Sequence, residues 1–161
     1  IKAAWAPPAL IEQVTRLMAT LNRVAAETMA AYPVHACTDV TGFGLLGHLA
    51  EMVAGSGCSV RIDSRKVPVL PETAGLAGMG LVPGGAFNNK SFRQAMVAFA
   101  DGVNAVMQDI LFDPQTSGGL LISVDHQRAD ELADELIRKG VAEVAIIGEV
   151  LGDPGEKIFV I

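Results

Sequence analysis

The end of the chain constrains its fold most. Two apolar runs, 144–150 and 157–161, flank a Gly152-Asp153-Pro154-Gly155 turn. Strands joined so tightly run antiparallel, because a parallel pair needs a long crossover. Upstream, helical and extended patterns alternate. After Pro7-Pro8, apolar residues recur with helical period at Leu10, Val14, Leu17, Met18, Leu21, Val24, Ala25 and Met29, which predicts one helix of about five turns that ends before Pro33. A strand over 34–40 then enters the glycine-rich Thr41-Gly42-Phe43-Gly44. Leu45, Leu46, Leu49, Met52 and Val53 mark a second helix, which Gly55-Ser56-Gly57 stops, and a strand over 58–62 follows. A helix over 72–79 is weakened by Gly75 and Gly78. Pro83-Gly84-Gly85 opens a predicted loop through Asn88 and Asn89, and 91–107 carries mixed helical signals broken at Asp101-Gly102. The run 120–124 reads as a strand, and Asp125 suits the cap of an acidic amphipathic helix that ends at Lys139 with Gly140 as its stop. Alternating elements closed by an antiparallel pair predict an α+β fold, a mixed β-sheet covered by helices.

Half of the 161 residues are hydrophobic and 19% are charged, enough for one domain with a sizeable core over residues 1–161. Twelve basic residues stand against 18 acidic ones. That balance offers no broad electrostatic footprint for nucleic acid or an anionic membrane, so a phosphate ligand has to be held locally. No apolar run approaches the roughly 20 residues that span a bilayer, and no signal-peptide pattern is visible. A soluble, cytoplasmic protein is the expectation. Cys37 and Cys58 form no redox or metal spacing and are expected to be reduced, packed thiols. The chain starts at Ile1 and soon enters a helical pattern, which is expected of a fragment.

Two segments carry potential chemistry. In Thr38-Asp39-Val40-Thr41-Gly42-Phe43-Gly44 a strand ends at a carboxylate and glycines turn the chain into a helix. The helix amides suit an anion or a metal-bound phosphate, with Asp39 holding a divalent cation on it; an ordinary strand-to-helix turn capped by Asp39 fits the spacing equally. In Asp113 to Gly119, Thr116 and Ser117 offer hydroxyls, while Gly118 and Gly119 let backbone amides approach a ligand. A side chain at Gly118 would block that approach and strain a positive φ. A proline-initiated turn before a buried strand remains the plainer reading of this segment. His48 is expected off the apolar stripe near Glu51 in a structural role, and His35 and His126 are isolated. Trp5 and the methionines read as core or interface filler.

A family resemblance rests on these segments together. His35-Ala-Cys-Thr-Asp-Val-Thr-Gly-Phe-Gly-Leu-Leu-Gly-His48, then Val82-Pro-Gly-Gly85 with Asn89 shortly after, then Asp113-Pro-Gln-Thr-Ser-Gly-Gly-Leu-Leu-Ile122 resemble, in order and spacing, the carboxy-terminal half of selenophosphate synthetases. The resemblance extends over essentially the whole chain. It implies the aminoimidazole-ribonucleotide-synthetase-like superfamily, with an amino-terminal domain, absent here, that forms the dimer core and most of the ATP site. It also implies a reaction that makes selenophosphate, AMP and phosphate from ATP, selenide and water. The family's magnesium-binding aspartate falls on Asp39, and Thr116, Ser117, Gly118 and Gly119 would lie toward the nucleotide. The family's reactive cysteine or selenocysteine and the lysine after it have no counterpart in this chain, so no catalytic residue is assigned and the chain alone is expected to be inactive. Another ATP-dependent enzyme of the superfamily, or a non-catalytic interaction module, are the alternatives.

Overall fold

The computed structural model describes residues 6–161; Trp5 lies outside the described residues. The predicted first helix is two, α1 (Pro8–Ala19) and α2 (Arg23–Met29). The break falls at Thr20, whose backbone is extended and whose amide bonds back to Leu17 O. The apolar stripe crosses this break without being covered: Leu17, Met18, Leu21 and Val24 are exposed, Leu21 at 78%. A periodic stripe reports which face is apolar, not what covers it.

β1 (Val34–Asp39) leads through the glycine turn into α3 (Gly44–Ser56). Gly57 caps α3 in the left-handed conformation, its amide bonding to Val53 O; the expected stop is where the chain turns. Then follow β2 (Ser59–Ile62), the short α4 (Thr73–Gly78) and α5 (Gly84–Arg93). Helix α5 corrects the predicted loop over Pro83 to Asn89. Gly84 and Gly85 resemble turn punctuation, yet Pro83 stands at the N-cap and its carbonyl accepts from the Ala86 amide. The mixed stretch that follows resolves into β3 (Val97–Phe99) and α6 (Ala105–Leu111), the latter capped by Asn104 Oδ1 on the Met107 amide at 2.9 Å. β4 (Leu120–Val124) precedes a single 3-10 turn and α7 (Ala129–Arg138). Asp125 caps that turn through the Gln127 amide, and Gly140 ends the helix region at φ +82°. β5 (Gly148–Leu151) and β6 (Ile158–Val160) close the chain.

The strands form two sheets: an antiparallel β1–β4 pair, and a mixed four-stranded sheet in the order β3-β6-β2-β5. The fold is α+β as expected, but β5 and β6 are not neighbours. β2 lies between them, antiparallel to β5 and parallel to β6. The 152–157 connection wraps the start of β2: the Ser59 amide donates to Asp153 O at 2.8 Å, and Ser59 Oγ accepts from the Lys157 amide at 3.1 Å. The chain thereby carries the wholly buried Ile158 and Val160 to a central position and leaves β5 at the edge. The expected opposite directions of β5 and β6 hold, while the expected direct pairing does not.

The core lies between α3 and this sheet. Leu46, Leu49, Ala50 and Val53 of α3 meet Val60 and Ile62 of β2, Ile158 and Val160 of β6, and Leu111 and Phe112 at the end of α6. Each of the Leu, Ile, Val and Phe side chains contributes about 1.5–3 kcal/mol when fully buried. Phe112 is completely buried, which fixes the point from which the second glycine-rich segment departs.

Candidate functional site

The two glycine-rich segments, distant in sequence, are hydrogen-bonded side by side. Asp39 pairs with Leu120 in the β1–β4 register. Beyond it, the Val40 amide donates to Gly119 O at 3.0 Å, the Gly118 amide to Val40 O at 2.9 Å, and the Gln115 amide to Thr41 O at 3.0 Å. This ladder brings Asp39 and Thr116–Gly119 to one rim. Asp39, Thr116 and Gly118 are exposed there, with Ser117 and Gly119 half-buried. Asp39 makes no ion pair with any described residue, and among those residues no group of three or more His, Cys, Asp or Glu side chains is placed to hold a metal. Ser117 Oγ donates to Thr20 O at 3.3 Å, tying the rim to the break between α1 and α2.

Gly118 does not carry the positive φ expected of it. That conformation belongs to Gly119, at +82°. What requires glycine at 118 is space: a Cβ there would stand 2.8 Å from Val40 O and 3.0 Å from both Gln115 Cβ and Val40 Cβ. Its amide, committed to Val40 O, is no longer a donor for a ligand. Gly118→Ala is therefore expected to destabilise the fold by about 1–3 kcal/mol through overpacking, read as a lower melting temperature. An unchanged melting temperature would show that the rim yields freely.

A third segment meets the same point. Gly44 N donates to Thr41 O at 3.0 Å to close the turn, and Gly44 holds φ +69° where an added Cβ would run into the backbone of Phe112 and Asp113. Gly85 of α5 packs on Pro114, where a Cβ would stand 2.8 Å from Cγ. Asn89 Nδ2, also from α5, donates to Gly42 O at 2.9 Å and to Phe112 O at 3.0 Å. The proximity of Asn89 to the other motifs was not readable from the residue itself; only its place after Pro83-Gly84-Gly85 hinted at it. A shallow groove beside this junction is lined by Phe43, Gly47, Asn89, Phe92 and Arg93.

His48 lies beneath the turn. It is buried, shares a 3.1 Å hydrogen bond with Thr41 Oγ1 through Nε2, and packs its ring 5.4 Å from that of Phe43. Its Nδ1 stands 3.4 Å from Glu51 Oε2 without hydrogen-bond alignment. The expected neighbour, Glu51, is there, but His48 is buried rather than set on the surface off the stripe. His35 and His126 are exposed. Both cysteines are free, but Cys37 is not packed: it shares the exposed face of β1 with His35 and Asp39. Partial burial, and then the Asp39 charge, push its thiol pKa up, which disfavours the thiolate.

Burial also holds the Asp113 carboxyl above the ordinary carboxylate range, an effect opposed by the 2.9 Å hydrogen bond from Gln115 Nε2. A raised folded-state pKa means that the folded chain binds the proton more tightly than the unfolded one. The ionised group thus costs stability at neutral pH, and the cost fades as pH falls through the folded value toward the unfolded one. Asp113→Asn is expected to raise the melting temperature at neutral pH, with the difference closing below the carboxylate range. A variant less stable than wild type at neutral pH would contradict this.

Comparison with known proteins places these features in context. Residues 8–161 match the family described as AIR synthase related protein, C-terminal domain. A selenide, water dikinase of Pelobacter propionicus is 52% identical over 160 residues, covering 99% of this chain and 46% of that protein. Selenide, water dikinase 2 of Peptoclostridium acidaminophilum is 44% identical over 161 residues, covering 100% of this chain and 46% of its own length. The chain thus spans about half the length of these curated relatives. Among solved structures, E. coli HypE, a hydrogenase maturation protein, superposes with a TM-score of 0.57 at 22% identity, over 79% of this chain and 32% of that one; that likeness is one of fold. No helix among the described residues is long and apolar enough to cross a membrane.

Proposed function

The chain belongs to the family of AIR synthase related proteins as their C-terminal domain, and on that premise we propose that residues 1–161 are the carboxy-terminal domain of a selenide, water dikinase. The longer protein makes selenophosphate, AMP and phosphate from ATP, selenide and water. The observation that carries this reading is 52% identity to a selenide, water dikinase across 99% of the chain.

In this reading Asp39 contributes one carboxylate to a magnesium ion that neutralises the nucleotide's phosphates. That carboxylate is this domain's share of the octahedron, which phosphate oxygens, waters and aspartates of the amino-terminal domain complete. The exposure of Asp39 and its freedom from ion pairs among the described residues support the assignment. Thr116 to Gly119 border the phosphates. With the Gly118 amide engaged by Val40, the donors left to them are the hydroxyls of Thr116 and Ser117 and the remaining amides. The reactive cysteine or selenocysteine and its lysine reside on an amino-terminal ATP-binding domain, against which the open stripe of Leu17, Met18, Leu21 and Val24 packs. The complete enzyme is a cytoplasmic homodimer.

The test is selenide-dependent release of AMP from ATP and magnesium. The longer protein is expected to show it and the isolated 161-residue chain is not. AMP release by the isolated chain, or its absence from the longer protein, would overturn the reading.

A further inference from the structure

We infer that Asn89 is a positioning residue, which locks the Asp39-bearing strand end and the Asp113–Gly119 segment into one arrangement; its bearing on catalysis rests on the dikinase reading above. One amide nitrogen donates to two carbonyls, Gly42 O at 2.9 Å and Phe112 O at 3.0 Å. An NH2 group carries two protons and has one for each acceptor. The acceptors belong to different segments: Gly42 lies in the turn just after Asp39, and Phe112 opens the run into Thr116–Gly119. Without the shared donor the carbonyl of the completely buried Phe112 loses this partner, whereas that of the exposed Gly42 turns to water, so the hydrogen-bonded bridge between the two segments is gone.

The helix that carries Asn89 is itself fixed. Gly85 bears on Pro114, and Lys90 Nζ forms a 2.8 Å ion pair with Asp109 of α6, both partly buried. Asn89 therefore reaches the two carbonyls from a platform tied to the second segment. It holds the first segment against that platform, and Asp39 takes its place on the rim from the resulting ladder of Val40 and Thr41 to Gly118, Gly119 and Gln115.

The test uses the longer protein with Asn89→Ala, and Asn89→Ser as a milder variant that keeps one donor should alanine fail to fold. Two measurements are made on each. Hydrogen exchange, without nucleotide or metal, is expected to speed up at the Gln115 and Gly118 amides while the β2 amides stay protected. The magnesium concentration for half-maximal selenide-dependent AMP release is expected to rise about tenfold, the scale on which residues behind a metal ligand act, with a smaller change in rate at saturating magnesium. A lower melting temperature with unchanged magnesium dependence would reduce Asn89 to a structural residue and overturn the inference. So would unchanged exchange at Gln115 and Gly118. Should wild type show no selenide-dependent AMP release, the dikinase reading fails by that result, and the clamp is judged on exchange alone.

Discussion

Gly44→Ala is expected to destabilise the domain by about 3 kcal/mol or more, whereas Gly42→Ala, two residues away, should change stability by less than about 1 kcal/mol. Gly44 sits at φ +69°, and a Cβ there would stand 2.6 Å from Phe112 C, 2.8 Å from Phe112 O and 2.9 Å from Asp113 O. The left-handed conformation costs a residue with a Cβ about 1–2 kcal/mol, and overpacking adds about 1–3 kcal/mol. The obstructing atoms are backbone leaving a completely buried Phe112, so relaxation requires moving the end of α6. Nothing lies within 4 Å of the corresponding position at Gly42. Denaturant unfolding of both variants checks the contrast, and equal losses would show that the backbone of Phe112 and Asp113 does not obstruct position 44. Against a typical total stability of about 5–15 kcal/mol, a loss of about 3 kcal/mol removes between a fifth and more than half of the whole.

On the dikinase reading proposed above, the largest functional effect is expected from Asp39→Asn in the longer protein: a fall in selenide-dependent turnover of about a hundredfold at low magnesium, with the melting temperature nearly unchanged. The substitution preserves size and one acceptor oxygen but removes the charge that competes with water for a hard cation. Stability should hardly respond, because Asp39 is exposed and forms no ion pair with a described residue. Surface replacements of this sort usually stay within about 0.5 kcal/mol. Turnover measured across a magnesium titration, beside a thermal melt, separates the two effects. Wild-type turnover at low magnesium would remove Asp39 from the site, and a large loss of stability would recast it as the cap of the strand end.

Local chemistry made much of this architecture legible from residues alone. The stop of α3 at Gly57 and the Gly140 exit are each decided by a few neighbouring residues, and the structure has both; Asp125 caps as expected, but it caps the 3-10 turn His126–Arg128 ahead of α7 rather than α7 itself. The glycine segments were visible as candidates for the same reason. What escaped was decided at a distance. β3 is only three residues long, too short for a period to declare itself. The insertion of β2 between β5 and β6 depends on Ser59 capturing the connection at Asp153 and Lys157, which no pattern within 144–161 encodes. Gly84 and Gly85 suggested a loop because glycine ordinarily weakens a helix, but the absence of a Cβ at 85 serves the approach to Pro114. Asn89 shows no local sign of its two acceptors, since these converge only when three separate segments fold onto one another.

The contrast between Gly44 and Gly85 has a consequence for how such a chain can change over generations. Gly44 is obstructed by carbonyl and carbon atoms of the main chain, which every amino acid at 112 and 113 would present alike; Gly85 is obstructed by the ring of Pro114. A damaging Gly85→Ala should therefore have second-site suppressors, namely replacements at 114 that take away the ring. Gly44→Ala should have none among the side chains it faces, and drift can reach that position only by remaking the path of the backbone.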